Sequence, residues 1–125
     1  MNWRDEAISK LKEYPVRKQA VAGLPVEIQR VDLQHQTAGD KDAVLSALAL
    51  KKELQERLKE TVLWVSFVEG AIRILAPEEL KVLDCFYIHP AKAKAEALGM
   101  SLQEAYPIRD RALRRFTFAL YGISE

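Results

Sequence analysis

A chain of 125 residues suffices for one ordinary domain, or for a small domain with a helical arm, and can bury a core without a disulfide or metal staple. With 49% hydrophobic and 30% charged residues it lies outside the composition of disordered chains. Lys plus Arg number 19 against 18 Asp plus Glu, and the resulting +1 argues against a histone-like or generally basic nucleic-acid coat.

The first segment, Trp3 to about Ala22, carries Ile8 and Leu11 at helical spacing with Trp3, Ala7 and Tyr14 nearby. Pro15 lacks an amide hydrogen and clashes with the carbonyl four residues back, so a kink or split is expected there, and Gly23 is expected to end the helix. Pro25 to about Gln34 follows. Leu24, Ile28 and Val31 share a helical face, while the alternation of Val26 and Ile28 leaves a strand open. Residues 34–39 read as loop.

Asp40 or Asp42 can cap a long central helix reaching about Leu75. Ala47, Leu50, Leu54, Leu58, Val62, Val65, Val68, Ile72 and Leu75 fall three or four residues apart and form one apolar stripe. Such a helix spans roughly 50 Å. That is longer than a globule of this size needs, so part of it is expected to pack on the first segment or on a second chain. After Thr61 it is apolar on most sides, through Leu63, Trp64, Val65, Phe67 and Val68, and this end is expected in a core.

Ala76-Pro77-Glu78-Glu79 opens the next helix, with proline in the first turn and two acids at the positive end of the helix dipole. Leu80, Leu83 and Phe86 or Tyr87 are its expected buried face, and His89-Pro90 its end. Ala91 to Leu98 is a short alanine-rich helix closed by Gly99. Ser101 caps the last one, which stops at Gly122. Helix, Leu98-Gly99-Met100-Ser101, helix is a helix-turn-helix spacing, although a plain helical hairpin fits it too. The fold class expected is therefore all-α: residues 1–75 as a helical, coiled-coil-like region with one long central helix, and residues 76–125 as the helix-turn-helix domain.

The stretch from Leu75 to Phe116 resembles the fourth region of sigma-70 family factors. Leu75-Ala76-Pro77-Glu78-Glu79-Leu80-Lys81-Val82-Leu83 matches the leading helix, Leu98-Gly99-Met100-Ser101 the turn, and Ala105, Ile108, Ala112-Leu113 and Phe116 the closing helix, in register without a gap. The whole chain looks more specifically like the ArpU-like and RinA-like late-gene regulators of phages and prophages. Trp64-Val65, Val68-Glu69, Val82-Leu83-Asp84, Phe86-Tyr87-Ile88-His89 and Ala112 through Phe116 carry that likeness. The resemblance implies a phage-derived transcription regulator of the bacterial cytoplasm and nucleoid that binds double-stranded promoter DNA. RNA polymerase is a further possible partner, and a homodimer could form through residues 42–75.

On the last helix, Ala105, Ile108, Ala112 and Phe116 should face the core. The resemblance puts the groove-reading positions at Leu102, Gln103, Tyr106 and Pro107. Gln103 can read adenine, and Leu102 and Tyr106 can touch a thymine methyl or a phosphate. Arg111, Arg114 and Arg115, with Lys92 and Lys94 before the turn, are the candidate backbone contacts. A solvated charged face is the plain alternative, favoured for Arg109 on the core side. Pro107 donates no amide hydrogen and Asp110 repels phosphate. From Pro90 to Ala119, six cations (Lys92, Lys94, Arg109, Arg111, Arg114, Arg115) face three acids (Glu96, Glu104, Asp110), a net of +3. Pro107 also allows another arrangement, in which the last helix starts there and Ala91 to Ala105 form one whole or broken helix. The resulting alternative function is a non-catalytic helical interaction protein, dimerising or docking on polymerase.

The remaining chemistry-bearing residues read plainly. Cys85, the lone cysteine, excludes an intrachain disulfide, suits a reducing cytoplasm and is expected to be a buried thiol. His35 and His89 lack ligand partners at metal spacing. Trp64 and Phe67 read as core aromatics. No catalytic constellation or phosphate-binding glycine loop stands out, so neither an enzyme nor a cofactor or metal is expected. The charged start of the chain lacks a secretory apolar region, and no run of about 18 apolar residues occurs.

Overall fold

The computed structural model describes residues 2–123, and every regular element among them is a helix. The elements are α1 (Trp3–Thr37), α2 (Lys41–Ile72), α3 (Pro77–Leu83), which widens into a π-helical turn (Asp84–Ile88), α4 (Lys94–Leu98) and α5 (Leu102–Tyr121). No helix among the described residues is long and apolar enough to cross a membrane.

α1 differs from the expected pair of segments. It continues through Pro15, Gly23 and Pro25 and takes in most of the expected 34–39 loop, and the possible strand at Val26 and Ile28 is helix. Gly23 does not adopt the positive φ of a helix-ending glycine, which only Gly99 and Gly122 show among the described residues. Each internal proline forfeits one intrahelical hydrogen bond. The inward residues on both sides of them, Leu11, Val21, Leu24, Ile28 and Val31, are buried or half-buried and hold the helix through those positions. Asp40 caps α2 as expected, its Oδ1 accepting the Ala43 N–H at 2.9 Å.

The chain divides by its own packing into two units, Val16–Val65 and Met1–Pro15 with Ser66–Glu125. In the first, α1 and α2 lie antiparallel. Asp32 Oδ1 accepts from Lys51 Nζ at 2.8 Å, and the Arg17 guanidinium sits 4.5 Å from the Trp64 ring centre. The inward positions step by three and four: Val21, Leu24, Ile28, Val31 and His35 on α1, and Val44, Ala47, Lys51, Leu54, Leu58, Thr61 and Val65 on α2. That spacing is the seam of a coiled coil. The inward row of α2 therefore differs from the predicted stripe. Leu50 and Val62 are exposed, while Val44, Lys51 and Thr61 line the seam. The end of α2 is also less enclosed than expected. Val65 and Val68 are buried and Trp64 half-buried, but Leu63 and Phe67 face outward. A helix packed along one seam covers one stripe, and apolar residues on its other sides stay in water.

In the second unit, α3, the π turn, α4 and α5 surround a core of Val82, Cys85, Leu98 and Ala105, with Phe86, Ala91, Met100 and Ile108 against it. Leu11, Leu83, Leu113 and Phe116 are fully buried. The start of α1 is tied in by Arg4 Nη2 to Asp110 Oδ1 at 2.8 Å and by Trp3, whose ring lies 4.7 Å from that of Tyr121. Tyr14 Oη donates to Glu69 Oε2 at 2.6 Å. His89, forced toward an extended conformation by Pro90, ends the π turn with its N–H on the Asp84 carbonyl at 2.8 Å. The wider turn rotates the buried face. Cys85 and Ile88 point inward, and the expected Phe86 and Tyr87 move to its edge.

Candidate nucleic-acid interface

The turn between α4 and α5 is built by two residues with specific backbone demands. Gly99 takes φ 67°, ψ 28°, a left-handed conformation that an L side chain resists. The Met100 N–H then returns to the Ala95 carbonyl at 3.2 Å. Ser101 is extended, and its Oγ accepts the Glu104 N–H at 3.2 Å, starting α5 at Leu102. α5 runs unbroken through Pro107 to Tyr121. The alternative in which the last helix begins at Pro107 is thus not the arrangement adopted, because the cap and the left-handed glycine set the start at Leu102, five residues earlier. Ala105, Ala112 and Phe116 are buried and Ile108 half-buried, as the helical spacing requires.

Leu102, Gln103 and Tyr106 are all exposed at the first turns of α5. The Tyr106 ring meets Phe86 edge-on at 6.2 Å, and the Arg109 guanidinium lies 4.8 Å from Tyr106 and 5.3 Å from Phe86. Such packing orients the ring, and Tyr106 stays exposed on its other side. Lys92 is exposed in the segment before α4. Lys94 is half-buried, donates to the Ala91 carbonyl at 2.8 Å and lies 5.7 Å from the Phe86 ring. Phe86 therefore gathers Lys94, Arg109 and Tyr106. Its edge position depends on the π turn, which no sequence spacing signals.

The arginines divide into two kinds. Arg111 Nε donates to Glu79 Oε2 at 3.2 Å, Arg115 Nη1 donates to Glu79 Oε1, and Arg115 Nη2 reaches the Ile74 carbonyl at 2.8 Å. The Glu79 carboxylate, 1% exposed, also accepts the Ala76 N–H at 2.8 Å. Burial alone would raise its pKa. The Ala76 amide, the Arg111 hydrogen bond and the two guanidinium charges outweigh that and hold it below the ordinary value. Arg111 and Arg115 thus fasten α5 to α3 while still exposing part of their guanidinium groups. Arg114 is exposed and makes no ion pair among the described residues. Asp110, expected to repel phosphate, is compensated. Burial pushes its pKa up, but hydrogen bonds from Arg109 and Arg4 bring it below the usual range. From the sequence, Glu79 stood only at the positive end of the helix dipole, not as the partner of the arginines. Its available signal was its place three residues after the helix cap, where a Glu can return to the cap amide.

Comparison of the chain with family models, curated proteins and solved structures gives no match, so the reading of this face rests on its own geometry and on the sequence.

Proposed function

We propose that the chain is a phage-derived transcription regulator that binds promoter DNA through α4 and α5. The observation that carries this reading is the start of α5. A glycine turn and a serine cap present Leu102, Gln103 and Tyr106 together on an exposed helix end, with Arg114 further along the same helix. A helix entering a major groove needs that arrangement: base-edge groups in its first turns and cations beside them for phosphate. Arg111 and Arg115 set the helix against α3, and Lys92 adds a flanking cation. The resemblance to the sigma-70 fourth region supports the same orientation. In a mobility-shift assay against late-promoter fragments at low salt, the wild-type chain retards DNA. Arg114→Ala weakens binding to all sequences alike and lowers the salt slope by about 1. A wild-type chain that leaves every fragment unshifted rejects the reading.

A second reading has one observation in its favour. Leu45, Leu48, Leu50, Val62 and Leu63 are exposed on the outward sides of α2. A helical interaction protein that dimerises through this helix, or docks on RNA polymerase, accounts for them without base contacts. Polymerase retained in a pull-down by a chain that binds no DNA supports this reading over the first.

A further inference from the structure

A small cleft on the second unit is lined by Ile74, Arg114, Arg115 and Phe118 and has a volume of about 230 Å³. Its floor and wall are large apolar groups left in water: Phe118 is 58% and Ile74 44% exposed. Its shape is held rather than incidental. Arg115 bonds the Ile74 carbonyl at 2.8 Å, tying the turn after α2 to α5, and the buried Glu79 holds Arg115 from the other side. The volume falls below the roughly 300–1,000 Å³ of small-molecule pockets and suits a single bulky side chain. The charge at the rim is one-sided. Glu79 is held by Arg111 and Arg115 and Asp110 by Arg4 and Arg109, and Arg114 makes no ion pair among the described residues.

We propose that this cleft docks an acidic peptide segment of a partner protein, with one bulky apolar side chain seated between Ile74 and Phe118 and carboxylates facing Arg114 and the open edge of Arg115. A DNA backbone would satisfy the arginines but has no apolar group to cover Phe118 and Ile74. Phe118 also lies 15 residues beyond Gln103 on α5, about 22 Å along the helix axis, so the cleft is separate from the end of α5 assigned to base reading and shares only Arg114 with the proposed DNA contacts, which makes Phe118→Ser the variant that tells the two apart.

The test is selection of a displayed library of random short peptides on the full chain, followed by titration of the enriched peptide. Peptides with one Phe, Leu or Trp flanked by Asp or Glu are enriched. Their Kd rises about tenfold or more in Phe118→Ser and in Arg114→Glu, and affinity falls with added salt. Both residues are exposed, so the helical circular-dichroism signal stays. If either variant loses it, Ile74→Ser replaces that variant with the same expected loss. Enrichment of no such motif, or an unchanged Kd in the folded variants, overturns the proposal. So does a random-sequence duplex weakened by Arg114→Glu and untouched by Phe118→Ser when no peptide is enriched, because the face then serves phosphate.

Discussion

Glu79 shows how one side chain changes the meaning of its neighbours. In the sequence it stands beside Glu78 as an acid at a helix start. In the structure it is the buried acceptor for one amide and two guanidinium groups. Glu79→Gln keeps an amide oxygen for the Ala76 N–H but loses the charge that holds two guanidinium groups, which water can partly resolvate, so it costs about 1–3 kcal/mol near neutral pH. The folded-state pKa lies below the ordinary 4.5. The contribution is therefore complete above that value and disappears as pH falls through the folded value. Urea denaturation should show wild type and Glu79→Gln furthest apart at pH 7 and converging below about pH 4.5. A constant gap across that range would mean that the carboxylate's charge is not what fastens α5.

At the scale of elements, two glycines that look alike in the sequence separate. Gly23 lies inside α1 in right-handed conformation, and Gly99 is left-handed at the end of α4. A Cβ at either meets open space, so only the backbone decides. Gly23→Ala should stabilise by about 0.5–1 kcal/mol, whereas Gly99→Ala should destabilise by about 1–2 kcal/mol. Thermal unfolding of the two variants checks the sign, and a shift of Gly99→Ala upward would contradict the assigned turn. The same contrast explains what was legible. The all-α class, the Asp40 and Ser101 caps, the Gly99 and Gly122 stops and the core face of α5 were readable because each depends on local chemistry or helical period. The continuity of α1 was not, because the local penalties of Pro15, Gly23 and Pro25 are outweighed by packing along the α1–α2 seam. The seam itself passes through Lys51 and Thr61, which no apolar stripe includes. At the candidate interface, the exposed trio Leu102, Gln103 and Tyr106 was legible from the turn. The roles of Arg111 and Arg115 were not, since their partner lies 32 and 36 residues away.

At the scale of the whole molecule, the near-zero charge excludes a strongly basic binder and leaves a modest cationic face on one unit. Sequence-independent affinity should therefore be weak and its salt dependence shallow, unless dimerisation doubles the contacts. If α2 pairs two copies, light scattering gives twice the chain mass, and Leu45→Gln with Leu63→Gln returns the monomer. A wild-type monomer at every concentration removes the dimer. The proposed function stands or falls with base reading by the start of α5. It is tested most directly by selecting random duplex DNA on the wild-type chain and comparing Kd for the enriched site and a scrambled one, with and without Gln103→Ala. Wild type should show a preferred site, with about 1–3 kcal/mol of that preference lost in Gln103→Ala while binding to the scrambled duplex is unchanged. Equal affinity of the wild-type chain for both duplexes, or a preference that Gln103→Ala leaves intact, would contradict it.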